Sequence, residues 1–348
     1  MEKAYWSAKA RALRPYTAGE QPREKLIKLN TNENAYPPSP RVTAAVAEAA
    51  ADLRLYPPSD GGIFREAAAQ LHGLDTTQIF CANGSDEVLA QAFLALFDPD
   101  RPVYTLDVTY SFYPVWADLF GLELRTVPLD KDYAVMPGSF AGAGAVVLTN
   151  PNAPTGMAAR PGLLREIIEG TDGPVIIDEA YAGFGSHSAL PWVGEYDNLL
   201  VVRTLSKSYS LAGLRAAYAA GQPHLIAALD TIRNSYNSYP VDRLAAAGAA
   251  AALRDEAWHK ECCGRIMQTR ERTRQALIDL GHRVLPSEAN FLFVECTDPD
   301  AASMFQALRD RGILVRYFGS GRTRNFLRVT IGTDDDMDAF IEAMEHIS

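Results

Sequence analysis

The sequence predicts an α/β protein, with a mostly parallel sheet covered by helices on both faces and a smaller α+β domain after it. Three observations carry this. Short apolar, β-branched runs recur between residues 78 and 220 with helix-like segments between most of them, the pattern of strands buried on both faces. Two of these runs deliver a chemically specific residue, Asp178 and Lys207, at the carboxyl end, which in open α/β sheets is where ligands bind. After Pro240 the alternation gives way to long helical patterns grouped with strands that read as antiparallel.

Taken in order, residues 1–40 are rich in Pro, Asn and Tyr, have weak periodicity and read as an irregular arm packing across something else. An Ala-rich helix is expected over 41–53. The turn Tyr56-Pro57-Pro58-Ser59-Asp60-Gly61-Gly62 separates it from a helix over 63–71. Strands are expected at 78–82, 103–106, 123–128, 145–149, 175–178 and 199–203, with 216–220 as a last one. Helices at 86–97, 112–120 and 161–169 lie between them. Asn234-Ser235-Tyr236-Asn237-Ser238-Tyr239-Pro240 is polar and ends in a helix-breaking proline, so it reads as a hinge. Helices at 241–253 and 257–280, strands at 282–285 and 290–295, a helix at 301–311, strands at 313–317 and 326–331 and a final helix at 334–346 follow. The expected organisation is an arm over 1–40, a large domain over 41–240 and a small domain over 241–348.

The chain has 348 residues, 47% of them hydrophobic, enough to bury a large core and a second smaller one. Its net charge of −10 argues against a nucleic-acid surface, which needs a basic face, so an anionic ligand must be caught by local arginines. No run approaches the roughly 18 apolar residues of a membrane helix. The first residues lack the apolar core of a signal peptide. Cys81, Cys262, Cys263 and Cys296 form no Cys-x-x-Cys pattern and the six histidines are scattered, so neither a metal nor a disulfide frame is indicated. A reducing cytoplasm is the expected setting.

The functional signal is densest at 203–215, Arg-Thr-Leu-Ser-Lys-Ser-Tyr-Ser-Leu-Ala-Gly-Leu-Arg. Lys207 follows the apolar run 199–202, among the hydroxyls of Thr204, Ser206, Ser208 and Ser210, with Arg215 eight residues on. An amine at the mouth of a buried strand can form a Schiff base with an aldehyde cofactor, and hydroxyls with a guanidinium can hold a phosphate. A lysine after a strand is usually only a solvated loop residue. The second motif changes the balance: Pro174-Val175-Ile176-Ile177-Asp178-Glu179-Ala180-Tyr181 is a short strand ending in Asp178, with Tyr181 three residues on. Two strands that each deliver such a residue at the ligand-binding edge favour cofactor binding over two coincidental caps.

Four further segments fit the same site. Asn83-Gly84-Ser85-Asp86-Glu87 puts Ser85 and Asp86 at a helix N-terminus, where free N–H groups favour a phosphate, although it also suits a plain cap. Tyr110 follows a strand and can stack on a flat ring; a core aromatic is the commoner fate. Asn150-Pro151-Asn152-Ala153-Pro154-Thr155-Gly156 is a rigid turn that can carry an amide to the site, and turn chemistry alone also accounts for it. Arg316 and Arg328 lie on late strands, where an arginine is often just an edge residue.

With these pieces in order, together with Leu29-Asn30-Thr31-Asn32-Glu33-Asn34, Tyr56-Pro57 and Leu211-Ala212-Gly213-Leu214-Arg215, the chain resembles the fold-type-I pyridoxal-phosphate aminotransferases. Within them it is most similar to the histidinol-phosphate aminotransferases, from about residue 13 to 333. The resemblance implies the pyridoxal 5'-phosphate transferase fold and the following roles. Lys207 binds the cofactor as a Schiff base and moves a proton, and Asp178 pairs with the ring nitrogen. Tyr181 bonds the ring oxygen, and Tyr110 lies on the ring face. Ser85, Asp86, Ser206 and Arg215 hold the phosphate. Tyr56 reaches the neighbouring subunit's phosphate, implying a homodimer with shared active sites. Tyr16, Arg316 and Arg328 meet the anionic end of the substrate.

One position departs from the family pattern. The commoner turn is Asn-Pro-Asn-Asn-Pro-Thr-Gly, whose last Asn contacts the cofactor ring oxygen; here that position is Ala153. Either Asn152 supplies the contact or Tyr181 holds the oxygen alone. The expected substrates are histidinol phosphate and the glutamate/2-oxoglutarate pair, since a guanidinium fork serves phosphate and carboxylate alike. The polar stretch 234–239 can wall an imidazole or act only as a hinge. Aromatic amino acids, or a threonine-phosphate decarboxylase-like reaction, are alternatives on the same scaffold. A non-catalytic pyridoxal-phosphate sensor is a further one, disfavoured by the acidic charge. No Gly-x-Gly-x-x-Gly follows the first strand, which disfavours a dinucleotide-binding oxidoreductase.

Overall fold

Seven strands make the large sheet, in the spatial order Ile79–Ala82, Ala217–Gly221, Leu199–Thr204, Val175–Asp178, Ala145–Thr149, Val103–Leu106 and Leu124–Val127. Ala217–Gly221 runs antiparallel to both neighbours, and the other pairings are parallel. The structure is a computed structural model and describes residues 5–319 and 321–347. Successive residues of the central strands enter two different cores. Val146, Leu148, Val175, Ile177, Leu199 and Val201 face one layer of helices, while Ala145, Val147, Ile176, Leu200 and Val202 face the other. That is why these strands read as unbroken apolar runs rather than as alternating ones.

The smaller sheet is antiparallel, ordered Arg316–Tyr317, Phe326–Thr330, Phe291–Glu295, Arg283–Val284. Helices Glu256–Asp279, Ala301–Asp310 and Asp334–Ile347 share its core through Ile266, Met304 and Phe340. The arm is tied to this unit: Ile27–Lys28 pairs in parallel with Ile313–Leu314.

Three features differ from the sequence reading. The single run expected over 313–317 is two short strands in different sheets, because Ile313–Leu314 pairs with the arm whereas Arg316–Tyr317 pairs with Phe326–Thr330. Helix Pro223–Asn234 fills a stretch for which the sequence pattern predicts no element; it starts at a proline and buries Leu225, Ile226 and Leu229 beside helix Ser85–Leu96. Helix Arg243–Leu253 lies beyond the expected hinge yet buries Ala245, Ala246, Ala249, Ala250 and Ala252 in the large core, against helices Pro40–Ala49 and Ile63–His72. Its alanines and Gly248 permit the close approach, since a Cβ on Gly248 would come within 2.7 Å of Leu214.

Candidate active site

Parallel register brings the chemistry to one edge. Thr149 and Asp178 are Cα partners at the ends of adjacent strands, and the next strand ends at Thr204, two residues before Ser206. Asp178 is buried. It accepts hydrogen bonds from the Tyr113 hydroxyl (3.2 Å) and the Ala180 N–H (3.1 Å), and Tyr113 is itself held by Thr149 at 2.6 Å. Burial pushes the Asp178 carboxyl up to about 7, and the charges of Asp86 and Glu179 reinforce this. It is a carboxylate placed to welcome a cation.

Lys207 follows on the loop after Leu199–Thr204. Its Nζ lies 6.0 Å from the centre of the Tyr181 ring and donates to the Thr31 carbonyl at 3.0 Å. Burial, with Arg328 adding to it, pulls the amine down to about 8, so a substantial neutral fraction exists near neutrality. Tyr181, also buried, accepts from Asn32 Nδ2 at 3.0 Å.

At another wall stands the N-terminus of helix Ser85–Leu96. Gly84 at its cap supplies no capping side chain. Arg215, in the left-handed region at φ 52°, reaches over it to Asp86 Oδ2 at 3.2 Å, and Tyr110 Oη donates to Asp86 Oδ1 at 3.0 Å. A Cβ on Gly84 would come within 2.6 Å of the Arg215 guanidinium, so only glycine lets it lie there. Ser206 Oγ accepts from Thr204 Oγ1 at 3.0 Å.

From the small sheet come Arg316 and Arg328. Arg328 Nη2 donates to the Asn30 carbonyl at 3.0 Å, while its buried Nε has no partner among the described residues. Burial and the neighbouring Arg316 hold the Arg328 guanidinium below its usual value. Tyr16, on the arm, stacks on Phe112 at 4.7 Å.

One cavity is lined by Tyr16, Ser85, Asp86, Tyr110, Asp178, Tyr181, Ser206, Lys207, Arg215, Arg316 and Arg328. Two other expected residues are not brought to it. The Asn152 amide is spent on the Val108 carbonyl (2.9 Å), Thr155 (3.1 Å) and Thr109 (3.0 Å), so the structure turns it into its own turn and leaves Ala153 at the cavity wall. Tyr56 is 80% exposed and stacks on Tyr239 at 4.8 Å, away from its own chain's cavity. The cavity also recruits Asn30, Thr31, Asn32 and Thr149, to which the sequence reading gave no role. The asparagine-rich run 30–34 was the available signal for the first three; nothing marks Thr149 except its place at a strand end.

The family model described as aminotransferase class I and II matches residues 24–344. Histidinol-phosphate aminotransferase 2 of Dechloromonas aromatica is 46% identical over 99% of both chains. The histidinol-phosphate aminotransferase of Chromohalobacter salexigens is 47% identical, again over 99% of each. Among solved structures, histidinol-phosphate aminotransferase from Sinorhizobium meliloti in complex with pyridoxal-5'-phosphate superposes with a TM-score of 0.90. It is 27% identical, covering 99% of this chain and 97% of that one.

Proposed function

We propose, on the premise that this chain belongs to the class I and II aminotransferases, that it moves an amino group between histidinol phosphate and the 2-oxoglutarate/glutamate pair in histidine biosynthesis, with pyridoxal 5'-phosphate as cofactor. The observation that carries the reading is a cavity in which an amine of lowered basicity, Lys207, shares walls with a buried carboxylate, Asp178, that has no ion-pair partner among the described residues.

The residues present fit this cofactor. Asp178 suits a protonated ring nitrogen, because a cation there would relieve the cost of its buried charge. Gly84, the uncapped start of helix Ser85–Leu96, Ser206 and Arg215 make a cradle for a phosphate. Asp86 contributes its N–H there, since its carboxylate is engaged by Arg215 and Tyr110. Tyr181 stands ready to donate to the ring oxygen, and Tyr110 to lie along the ring. When bound, pyridoxal phosphate supplies the aldehyde that captures amines and the ring that accepts electrons from the substrate α-carbon.

The chain's own groups do the rest. Lys207 is the nucleophile, because its Nζ is partly neutral near pH 7.5, and the same nitrogen then takes and returns the substrate proton. Arg316 and Arg328 orient the substrate by its phosphate or carboxylate, with Tyr16 closing the arm side. The two guanidiniums and the unpartnered buried Nε of Arg328 suit an anionic substrate end of either kind, and histidinol phosphate is favoured over aromatic amino acids by the histidinol-phosphate aminotransferases 46% and 47% identical to this chain. Tyr56, with exposed Leu53, Leu55 and Tyr239 around it, supports a homodimer that shares its active sites. Four buried free thiols suit the cytoplasm.

The test is the visible absorbance of protein reconstituted with pyridoxal phosphate, before and after histidinol phosphate without an acceptor. We expect a yellow band that bleaches and is restored by 2-oxoglutarate. A band indifferent to histidinol phosphate but bleached by phenylalanine or tyrosine would replace the substrate; no band at all would remove Lys207 from its role.

A further inference from the structure

We propose that Asn32 is a positioning residue for Tyr181, coupling that phenol to the small sheet through Thr330; the proposal rests on the cofactor reading above. Asn32 is buried where the arm passes between the two units, with its backbone in the left-handed region at φ 56°, which asparagine tolerates better than most residues. All its polar groups are engaged. Nδ2 donates to Tyr181 Oη at 3.0 Å, and Oδ1 accepts from Thr330 Oγ1 at 3.1 Å. The backbone N–H donates to the same Thr330 oxygen at 3.0 Å, and the carbonyl accepts from Asn290 Nδ2 at 3.1 Å.

Thr330 Oγ1 accepts from the Asn32 N–H and donates its own proton to Oδ1. That orients the amide with its NH₂ toward Tyr181, and the Tyr181 oxygen accepts there. The phenol proton is then left for the cavity. Among the described residues no other side-chain amide bonds this phenol: Ala153 has none and that of Asn152 is spent elsewhere. A phenol that accepts a hydrogen bond donates a stronger one, so Asn32 strengthens whatever bond Tyr181 makes to an anionic oxygen in the cavity.

The charged and titratable groups facing Tyr181 include Lys207 from the loop after the Leu199–Thr204 strand, Asp178 at the end of the strand that leads into Tyr181, Arg328 from the small sheet, Tyr16 from the arm and Tyr110 from the loop after Val103–Leu106. Burial raises the phenol, Arg328 and the Asn32 donation pull it back, and Asp178 and Tyr16 push it up. Asn32 is therefore the uncharged member of the set that acts directly on the Tyr181 oxygen. It is bonded at once to the large unit (Tyr181) and to the small one (Thr330, Asn290).

The experiment titrates the visible band of holoenzyme reconstituted with pyridoxal phosphate, in wild type, Tyr181→Phe, Asn32→Gly, Asn32→Asp and Thr330→Val. Asn32→Gly deletes the amide but accepts the left-handed backbone, so strain does not confound it. Asn32→Asp keeps the shape and replaces the donor by an acceptor. Weakening the phenol's bond leaves more charge on its partner and makes the bound group hold its proton to higher pH. Asn32→Gly is expected to move the midpoint up by about half a pH unit, a ~3-fold change in proton affinity, the size of one net hydrogen bond. Asn32→Asp moves it further, Thr330→Val less, and Asn32→Gly adds nothing in the Tyr181→Phe background. If Asn32→Gly leaves the midpoint where it was while Tyr181→Phe shifts it, Asn32 is only structural and the proposal is overturned. Should the Asn32 variants fail to fold, Thr330→Val reads the same relay from its other end, and an unmoved midpoint there overturns it equally. A wild-type chain that develops no band fails the cofactor reading itself, and this proposal with it.

Discussion

Asp178 illustrates how one residue can cost stability in order to be useful. Its carboxyl is pushed up to about 7 from an ordinary 3.8, so the fold favours the protonated acid. The stability it contributes is complete below pH ~4 and is lost as pH rises through its folded value. Asparagine keeps the shape without that loss. Cofactor-free Asp178→Asn is therefore expected to melt above wild type at pH 8, with the two curves converging near pH 4 in a thermal scan. In the loaded enzyme the order reverses for function: Asp178→Asn still attaches the cofactor but loses most turnover, measured as kcat beside an intact visible band. Gly84 makes a second residue-level case. Its φ of 92° and its 2.6 Å clearance from Arg215 both exclude a side chain. Gly84→Ala should weaken pyridoxal-phosphate binding roughly 10-fold by displacing one charge-assisted contact, read from an equilibrium titration. Lys207 and Asp178 stood out as candidates in the sequence because each lies at or just beyond the end of an apolar strand, and Arg215 because it comes eight residues after Lys207 in a hydroxyl-rich run. The direction of an amide was not: Asn152 points at Val108 and Thr155, and Asn32 at Tyr181, for reasons that lie in the folded neighbours.

Among the elements, the strands of the large sheet were the most legible, because burial on both faces demands uninterrupted apolar residues. Val103–Leu106, Ala145–Thr149 and Val175–Asp178 fall where the sequence puts them. The run 313–317 was not legible in the same way, since an apolar stretch carries no mark of changing partners at its middle residue; the arm and strand Phe326–Thr330 decide that. Helix Arg243–Leu253 was readable as a helix but not as part of the large core. Alanine makes a good helix anywhere, and only the helices of 40–49 and 63–72 show what its small face is for. Gly248→Val tests that packing. It forces a branched side chain into Leu214 and Val46 and should destabilise the protein by about 1–3 kcal/mol, seen as a lower denaturant midpoint at unchanged slope.

At the scale of the whole molecule, the arm and both sheets meet at the proposed site. If Tyr56 completes the partner's cavity, Tyr56→Ala and Lys207→Ala homodimers are each impaired, and re-equilibrated together they should recover to about a quarter of wild-type activity, since half the dimers are mixed and each holds one intact site. Recovery no greater than the sum of the parents would put Tyr56 outside the shared site. The fold class, the order of the motifs along the chain and the placement of Lys207 and Asp178 at strand ends were determined by the sequence itself, because apolar periodicity and residues at strand ends are local properties that survive without knowing the neighbours. Which amide supports Tyr181, which core helix Arg243–Leu253 packs into and how the arm joins Thr330 to the phenol were decided only by the tertiary structure. Each depends on hydrogen-bond directions and packing between segments as much as 298 positions apart, and no local pattern records those.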